Sequence, residues 1–236
     1  MFAENGSLPQ AAIFDLDGTL LDSMWVWHRV DEAFFAARGM ALPEDYAIAI
    51  QAMTFREVAD YTIARFGLPE TPESVMAEWN AMSFVQYSSR VELKPGAREY
   101  LSLLRGRGVR LAVATSLTTH VMEAVLEHNG VLPWFGALTS ADEVPRGKAY
   151  PDIYLRAAGK LGVPPERCAA YDDILLSLRG IKAAGMAAIA VYEPASRQNW
   201  DEMCAFADGS IRSFQEELER EAARGQTDAN YNQRLI

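Results

Sequence analysis

Five short apolar runs set the pattern of this chain: AAIF (11–14), RLAVA (110–114), GALT (136–139), CAAY (168–171) and AAIAVY (187–192). Each is too short to be a buried helix, and none shows the polar alternation of a strand with one wet face. Runs of this kind fit strands buried on both faces, as a parallel sheet requires. Helical patterns separate the later runs. In THVMEAVLEHNG (119–130), Val121, Ala124, Val125 and His128 keep helical spacing, and Asn129-Gly130 stops the helix. His128 reads as a helix-end residue rather than a ligand. PDIYLRAAGKLG (151–162) opens on Pro and Asp and closes on Gly, and LLSLRGIKAAG (175–185) also closes on Gly. Alternating strands and helices predict an α/β chain with a doubly wound, Rossmann-like parallel sheet.

One connection is far longer than a crossover needs. Between Asp22 and Glu92 lie three helical patterns, VWHRVDEAFFAARG (26–39), TFREVADYTIARFG (54–67) and PESVMAEWNAMSFVQYSS (72–89). The economical reading is a Rossmann-like core of residues 1–21 and 93–214, interrupted by an all-helical insertion at 22–92. ELKPG (92–96) is the return hinge and opens the helix AREYLSLLRGRG. FQEELEREAARG then starts a C-terminal helix, with 215–236 as helix and polar tail.

Charge and cysteine usage narrow the function. The formal net charge is −10, which argues against nucleic acid as a partner, since phosphate neutralisation leans on Lys and Arg. The densest basic stretch, LRGRGVR (104–110), reads as a solvated helix-end turn. No apolar run has the length of a membrane span, and MFAENGSLPQ lacks the features of a secretory leader. The two cysteines, Cys168 and Cys204, have no CxxC spacing and predict a reduced, cytoplasmic setting. Cys168, at the start of an apolar run, reads as core.

In open α/β sheets ligands sit outside the carboxyl ends of the strands. After AAIF come Asp15 and Asp17; after LAVA, Thr115 and Ser116; after GALT, a loop carrying Lys148; after CAAY, Asp172 and Asp173. Taken singly, Thr115-Ser116 or Asp172-Asp173 would serve as helix caps, and Lys148 as a surface lysine. Asp15 and Asp17 are different, because two like charges side by side are costly unless a cation lies between them. Mg²⁺ suits such a place: it prefers hard carboxylate oxygens, with waters and a phosphate completing its shell. Asp173 is a further candidate ligand, and Lys148 a counter-charge for substrate. A carboxylate so placed can attack phosphorus, and a second can move the proton.

These residues resemble the haloacid dehalogenase-like superfamily, in its branch of phosphatases and β-phosphoglucomutases with a helical cap. The motifs are DLDGTLLDS (15–23), AVATS (112–116), EVPRGKAYPDIYL (143–155) and YDDILLSLRGIKAAGM (171–186). The resemblance implies that Asp15 is the nucleophile and a metal ligand. It implies that Asp17 is the general acid/base, touching the metal through its backbone carbonyl. Thr115 and Lys148 would bind the phosphoryl group, with backbone N–H groups near Leu16 and Ser116, and Asp173 would be the metal ligand from the fourth motif. Segment 22–92 occupies the cap position, a lid over the substrate. The implied partner is a small phosphorylated metabolite, such as a sugar phosphate.

The departures are informative. Asp172 and Ile174 stand where the pattern has Glu and Ser, so Asp172, one methylene shorter, is expected to reach the metal through water. Ser177 replaces a usual Gly, and Ala149 a usual Pro. The mutase branch carries a cap histidine where this chain has Trp27, with His28 one place late, about 100° around a helix. That favours a phosphatase over a hexose-phosphate mutase. Asp17 argues against dehalogenase chemistry. The absence of lysine between Asp22 and Glu92 argues against Schiff-base phosphonate cleavage. A non-catalytic phosphate-binding regulator is opposed by the retained Asp15, Asp17, Thr115, Lys148 and Asp173. A receiver-type signalling domain is opposed by the chain's length and its insertion. Trp25, Trp27 and Trp79 read as packing residues before substrate contacts, with Trp25 and Trp27 close enough to the site's exit for one to face substrate; Arg56 is the cap cation to watch and reads first as a solvated helix residue.

Overall fold

A computed structural model describes residues 8–50, 53 and 55–233. They form two compact units, Met1–Asp22 with Glu92–Ile236, and Ser23–Val91.

The first unit is built on a six-stranded parallel sheet: β1 (Ala11–Phe14), β2 (Arg110–Thr115), β3 (Phe135–Ser140), β4 (Cys168–Asp172), β5 (Ala187–Val191) and β6 (Gly209–Ile211), in the order β3-β2-β1-β4-β5-β6. The five predicted runs are β1 to β5. β6 was not legible, because Gly-Ser-Ile has neither an apolar run nor an alternating pattern. β1 is central and every residue in it is buried. Side chains alternate across the sheet. Ala11 and Ile13 join Ala112, Ala114 and Ala170 in a cluster with Ile153, Tyr154 and Ala157 of one helix and Leu178 and Ile181 of another. On the opposite face Phe14 stacks on Tyr171, with ring centroids 4.3 Å apart, and Tyr100 packs between Tyr171 and Phe214. On the first face the strand positions are mostly small Ala side chains, against which the larger helix residues pack.

The second unit is helical, with α1 (Val26–Ala37), α2 (Tyr46–Ile50), α3 (Phe55–Phe66) and α4 (Pro72–Ser89). Its aromatic core joins Phe34 to Trp79 at 5.2 Å and Phe35 to Tyr46 and Phe66 at 5.1 and 4.8 Å. Arg38 lies over the Phe34 ring and pairs with Glu70 and Glu78 at 2.8 and 2.6 Å. Thr71 caps α4 by accepting from the Ser74 N–H, with Pro72 at the first helical position. Trp79 is core as predicted, and Arg56 is an exposed helix residue paired with Glu73 at 2.6 Å.

The remaining helices of the first unit are α5 (Ala97–Gly106), α6 (Thr119–His128), α7 (Asp152–Leu161), α8 (Leu175–Ala183), α9 (Trp200–Phe206) and α10 (Phe214–Gln233). α2 and α9 were not predicted, being one to two turns long. α10 continues to Gln233, through the stretch read as a polar tail; residues 234–236 of that stretch, like 1–7, lie outside the described residues. No helix among the described residues is long and apolar enough to cross a membrane.

Candidate active site

The strand register brings the acidic residues together. Phe14 lies opposite Val113 of β2 and Tyr171 of β4. One residue on, the Asp15 N–H still donates to the Tyr171 carbonyl at 3.0 Å. β4 ends there on Asp172, with Asp173 next. β1 and β4 flank the point where the strand order reverses, the place where open α/β sheets bind ligands. Carboxylate oxygens of Asp15, Asp172 and Asp173 lie within 4.8 Å of one another, and all three residues are buried.

Lys148 arrives from the loop between β3 and α7. Its ammonium is 2.7 Å from Asp15 Oδ1 and 2.5 Å from Asp172 Oδ2. The loop can approach this closely because α8 presents Gly180 to it. A Cβ at Gly180 would stand 2.2 Å from the Lys148 carbonyl oxygen and 3.0 Å from the Ala149 carbonyl carbon, so any side chain there would push the loop away. Arg146 staples the same loop, pairing with Asp152 at 2.7 Å and lying over the Tyr150 ring.

The turn after β1 supplies the rest. Gly18 has φ +71°, and a Cβ on it would stand 2.5 Å from Asp173 Oδ2. Only glycine fits both the left-handed conformation and that contact. Thr19, fully buried, donates its hydroxyl to Asp173 Oδ1 at 2.8 Å. The Asp17 carboxylate is not part of the three-carboxylate group; Asp17 is half-buried and bridges to Leu21. Thr115 ends β2, buried, with its Oγ1 accepting from the Leu117 N–H at 3.3 Å, while Ser116 is exposed. Ile174 is exposed, and its N–H donates to Asp172 Oδ1 at 3.0 Å.

Three carboxylates share one ammonium, and burial magnifies the imbalance. Burial, together with the charges of Asp172 and Asp15, pushes the Asp173 carboxyl up to about 8. Burial pushes Asp172 up to about 6, with Lys148 opposing and Asp15 adding to the rise. Lys148 is held well above its ordinary value: burial works against its charge, and Asp15 and Asp172 outweigh it. A group of hard oxygens with surplus negative charge and protons it holds only for want of a counter-charge fits a divalent cation.

A pH dependence follows. In the metal-free protein Asp173 binds a proton more tightly folded than unfolded. Its contribution to stability is therefore full below the unfolded carboxyl value, about 4, and is lost as pH rises through about 8. A divalent cation needs the carboxylate, so the rise in melting temperature caused by Mg²⁺ is expected to be small at pH 5 and to grow towards pH 8. Thermal melts with Mg²⁺ and with chelator across that range check this. A pH-independent Mg²⁺ effect would contradict it.

Two residues near this group were missed from the sequence. Thr19 had a signal, its place in DGT directly after Asp17 and Gly18. Tyr154 of α7 had none. Its phenol is buried and held far above its ordinary value, first by burial and then by the charge of Asp172, with Lys148 opposing.

A family model described as haloacid dehalogenase-like hydrolase matches residues 9–185. Hexitol phosphatase B of Escherichia coli (strain K12) is 32% identical over 212 residues, spanning 87% of this chain and 93% of that protein. Protein CbbY of Rhodobacter capsulatus is 32% identical over 75% of this chain and 82% of its own length. The crystal structure of CbbY from Rhodobacter sphaeroides in complex with phosphate superposes with a TM-score of 0.71 at 28% identity, covering 88% of this chain and 95% of that one.

Proposed function

The chain belongs to the haloacid dehalogenase-like hydrolase family, and on that premise we propose that it is a Mg²⁺-dependent phosphatase of small sugar or sugar-alcohol phosphates. The observation that carries this reading is the buried Asp15–Lys148 pair at the end of the central strand, with Asp172 and Asp173 beside it. The phosphatase named for hexitols and the CbbY structure holding phosphate support the substrate class.

In the proposed reaction a carboxylate oxygen of Asp15 attacks phosphorus, and the bond from phosphorus to the ester oxygen breaks. Asp17 gives its proton to the leaving alkoxide. A water then attacks the aspartyl-phosphate, Asp17 takes the water's proton, and the Asp15 carboxylate is restored as phosphate leaves. Lys148, released from Asp15 Oδ1 as that oxygen bonds to phosphorus, neutralises the transferred group. The Thr115 hydroxyl and the N–H groups near Leu16 and Ser116 bind its oxygens. Mg²⁺, held by Asp15, Asp173 and the Asp17 carbonyl, with Asp172 through water, would supply charge stabilisation to the phosphoryl oxygens. Unit Ser23–Val91 takes the part of the cap that admits the substrate. A mutase is less well supported. Trp27 holds the position of the mutase histidine, and His28 pairs with Glu32 of its own helix at 3.3 Å. The free thiols Cys168 and Cys204 fit the cytoplasmic setting.

The test is a panel of hexitol, hexose and pentose phosphates, assayed with Mg²⁺, with chelator, and with an added hexose bisphosphate. Phosphate release that needs Mg²⁺ and ignores the bisphosphate is the expected result. Isomerised sugar phosphate that appears only with the bisphosphate would establish the mutase instead.

A further inference from the structure

Lys94 lies in the segment that returns to the first unit at Glu92. Its backbone is tied to the end of the catalytic turn. The Lys94 N–H donates to the Leu20 carbonyl at 2.8 Å, the Asp22 N–H to the Glu92 carbonyl at 3.0 Å, and Leu21 bridges Leu93. The side chain turns inward. It is 16% exposed, and its ammonium donates to the Gly18 carbonyl, to the Tyr192 carbonyl at 3.3 Å and to Glu193 Oε2 at 2.7 Å. Glu193, only 8% exposed, is itself fixed, since its other oxygen accepts from the Ala195 N–H at 3.2 Å.

A buried ion pair of this kind is weak evidence of stabilisation, because desolvation offsets much of the attraction. What it does secure is geometry. Gly18 is where the chain turns back with φ +71°, and the face that lacks a Cβ lies against the Asp173 carboxylate. The next residue, Thr19, donates to that same carboxylate. The Gly18 carbonyl held by Lys94 and the contacts to Asp173 therefore belong to one turn.

We propose that Lys94, oriented by Glu193, is a positioning residue for the catalytic turn. It anchors the Gly18 carbonyl, and through Gly18 and Thr19 it sets where the Asp173 carboxylate meets a bound cation. This deepens the phosphatase reading and rests on it. Without the ammonium, Gly18 loses this anchor and Asp173 loses the surface it packs against. Cation affinity and turnover should fall together, while recognition of the ester's organic part is untouched.

The test uses the full chain with Lys94→Met, which keeps the apolar stem, and Glu193→Gln, which removes only the charge that orients the ammonium. Mg²⁺ alone is titrated by calorimetry, and phosphate release is measured with the best ester of the panel. Partners that orient metal ligands typically matter 10- to 100-fold, so Lys94→Met is expected to weaken Mg²⁺ binding and kcat by roughly 10- to 100-fold, with KM for the ester within about twofold. Glu193→Gln is expected to show a smaller loss of the same kind. A folded Lys94→Met protein with parental Mg²⁺ affinity and kcat overturns the proposal. If that variant does not fold, parental Mg²⁺ affinity in Glu193→Gln overturns it. The Asp15→Asn variant separates the two ideas. Full activity there eliminates Asp15 as the nucleophile, and no phosphate release by the parental chain across the panel sinks the phosphatase reading, whereas the Mg²⁺ titrations still decide the role of Lys94.

Discussion

Asp15→Asn is expected to abolish phosphate release, by roughly 10⁴- to 10⁶-fold as for the loss of a covalent nucleophile in other enzymes. The amide has no anionic oxygen to bond to phosphorus, and no side chain nearby replaces it: Asp172 Oδ2 is paired with Lys148, and Asp173 is bonded to Thr19. The same change should not unfold the protein. It removes one of three buried carboxylates that share one ammonium and leaves Lys148 paired with Asp172. The metal-free melting temperature is therefore expected to stay level or rise. Phosphate release and a chelated thermal melt on the same sample check both halves. Undiminished activity would eliminate Asp15 as the nucleophile, and a collapsed melt would mean that its carboxylate holds the sheet edge together.

Lys148→Met should damage both catalysis and folding. Lys148 is the cation paired with Asp15 and Asp172, and its side chain is 10% exposed. Removing one charged donor from a phosphoryl site costs about 10²- to 10³-fold in kcat. Breaking a buried pair by deleting one partner costs about 3–5 kcal/mol, because the other charge stays buried and unpaired. Carboxyls can escape that cost by taking up protons, so the loss of stability should be smaller at pH 5 than at pH 8. Mg²⁺ should restore part of it by supplying the missing positive charge. Urea unfolding at both pH values, with and without Mg²⁺, measures this. A stability loss equal at the two pH values would show that Lys148 acts through packing of its stem rather than through charge.

Much of the fold was legible because its signals are local. AAIF and CAAY are strands buried on both faces, so they appear as unbroken apolar runs. The helices over 152–161 and 72–89 carry their own punctuation, Pro at the start of each and Gly162 just past the end of the first. β6 escaped because three residues at a sheet edge need no apolar run of their own. α10 ran past its expected end because charged and polar residues such as Glu and Gln are adequate helix formers without an apolar stripe.

Sequence alone determined the strand–helix alternation, the insertion after the first strand, and the chemical types delivered to the strand ends. Those follow from periodicity and spacing along the chain. Only the tertiary structure decided which of these residues meet. The reversal of strand order beside β1 places β4 next to it, and hence Asp172 and Asp173 beside Asp15. Gly180, far along the chain, lets the Lys148 loop dock. Thr19 and Lys94 take roles set by partners 154 and 76 residues away. Contacts of that range leave no periodic trace, because each depends on a register, a turn angle or a missing Cβ that exists only once the sheet has formed.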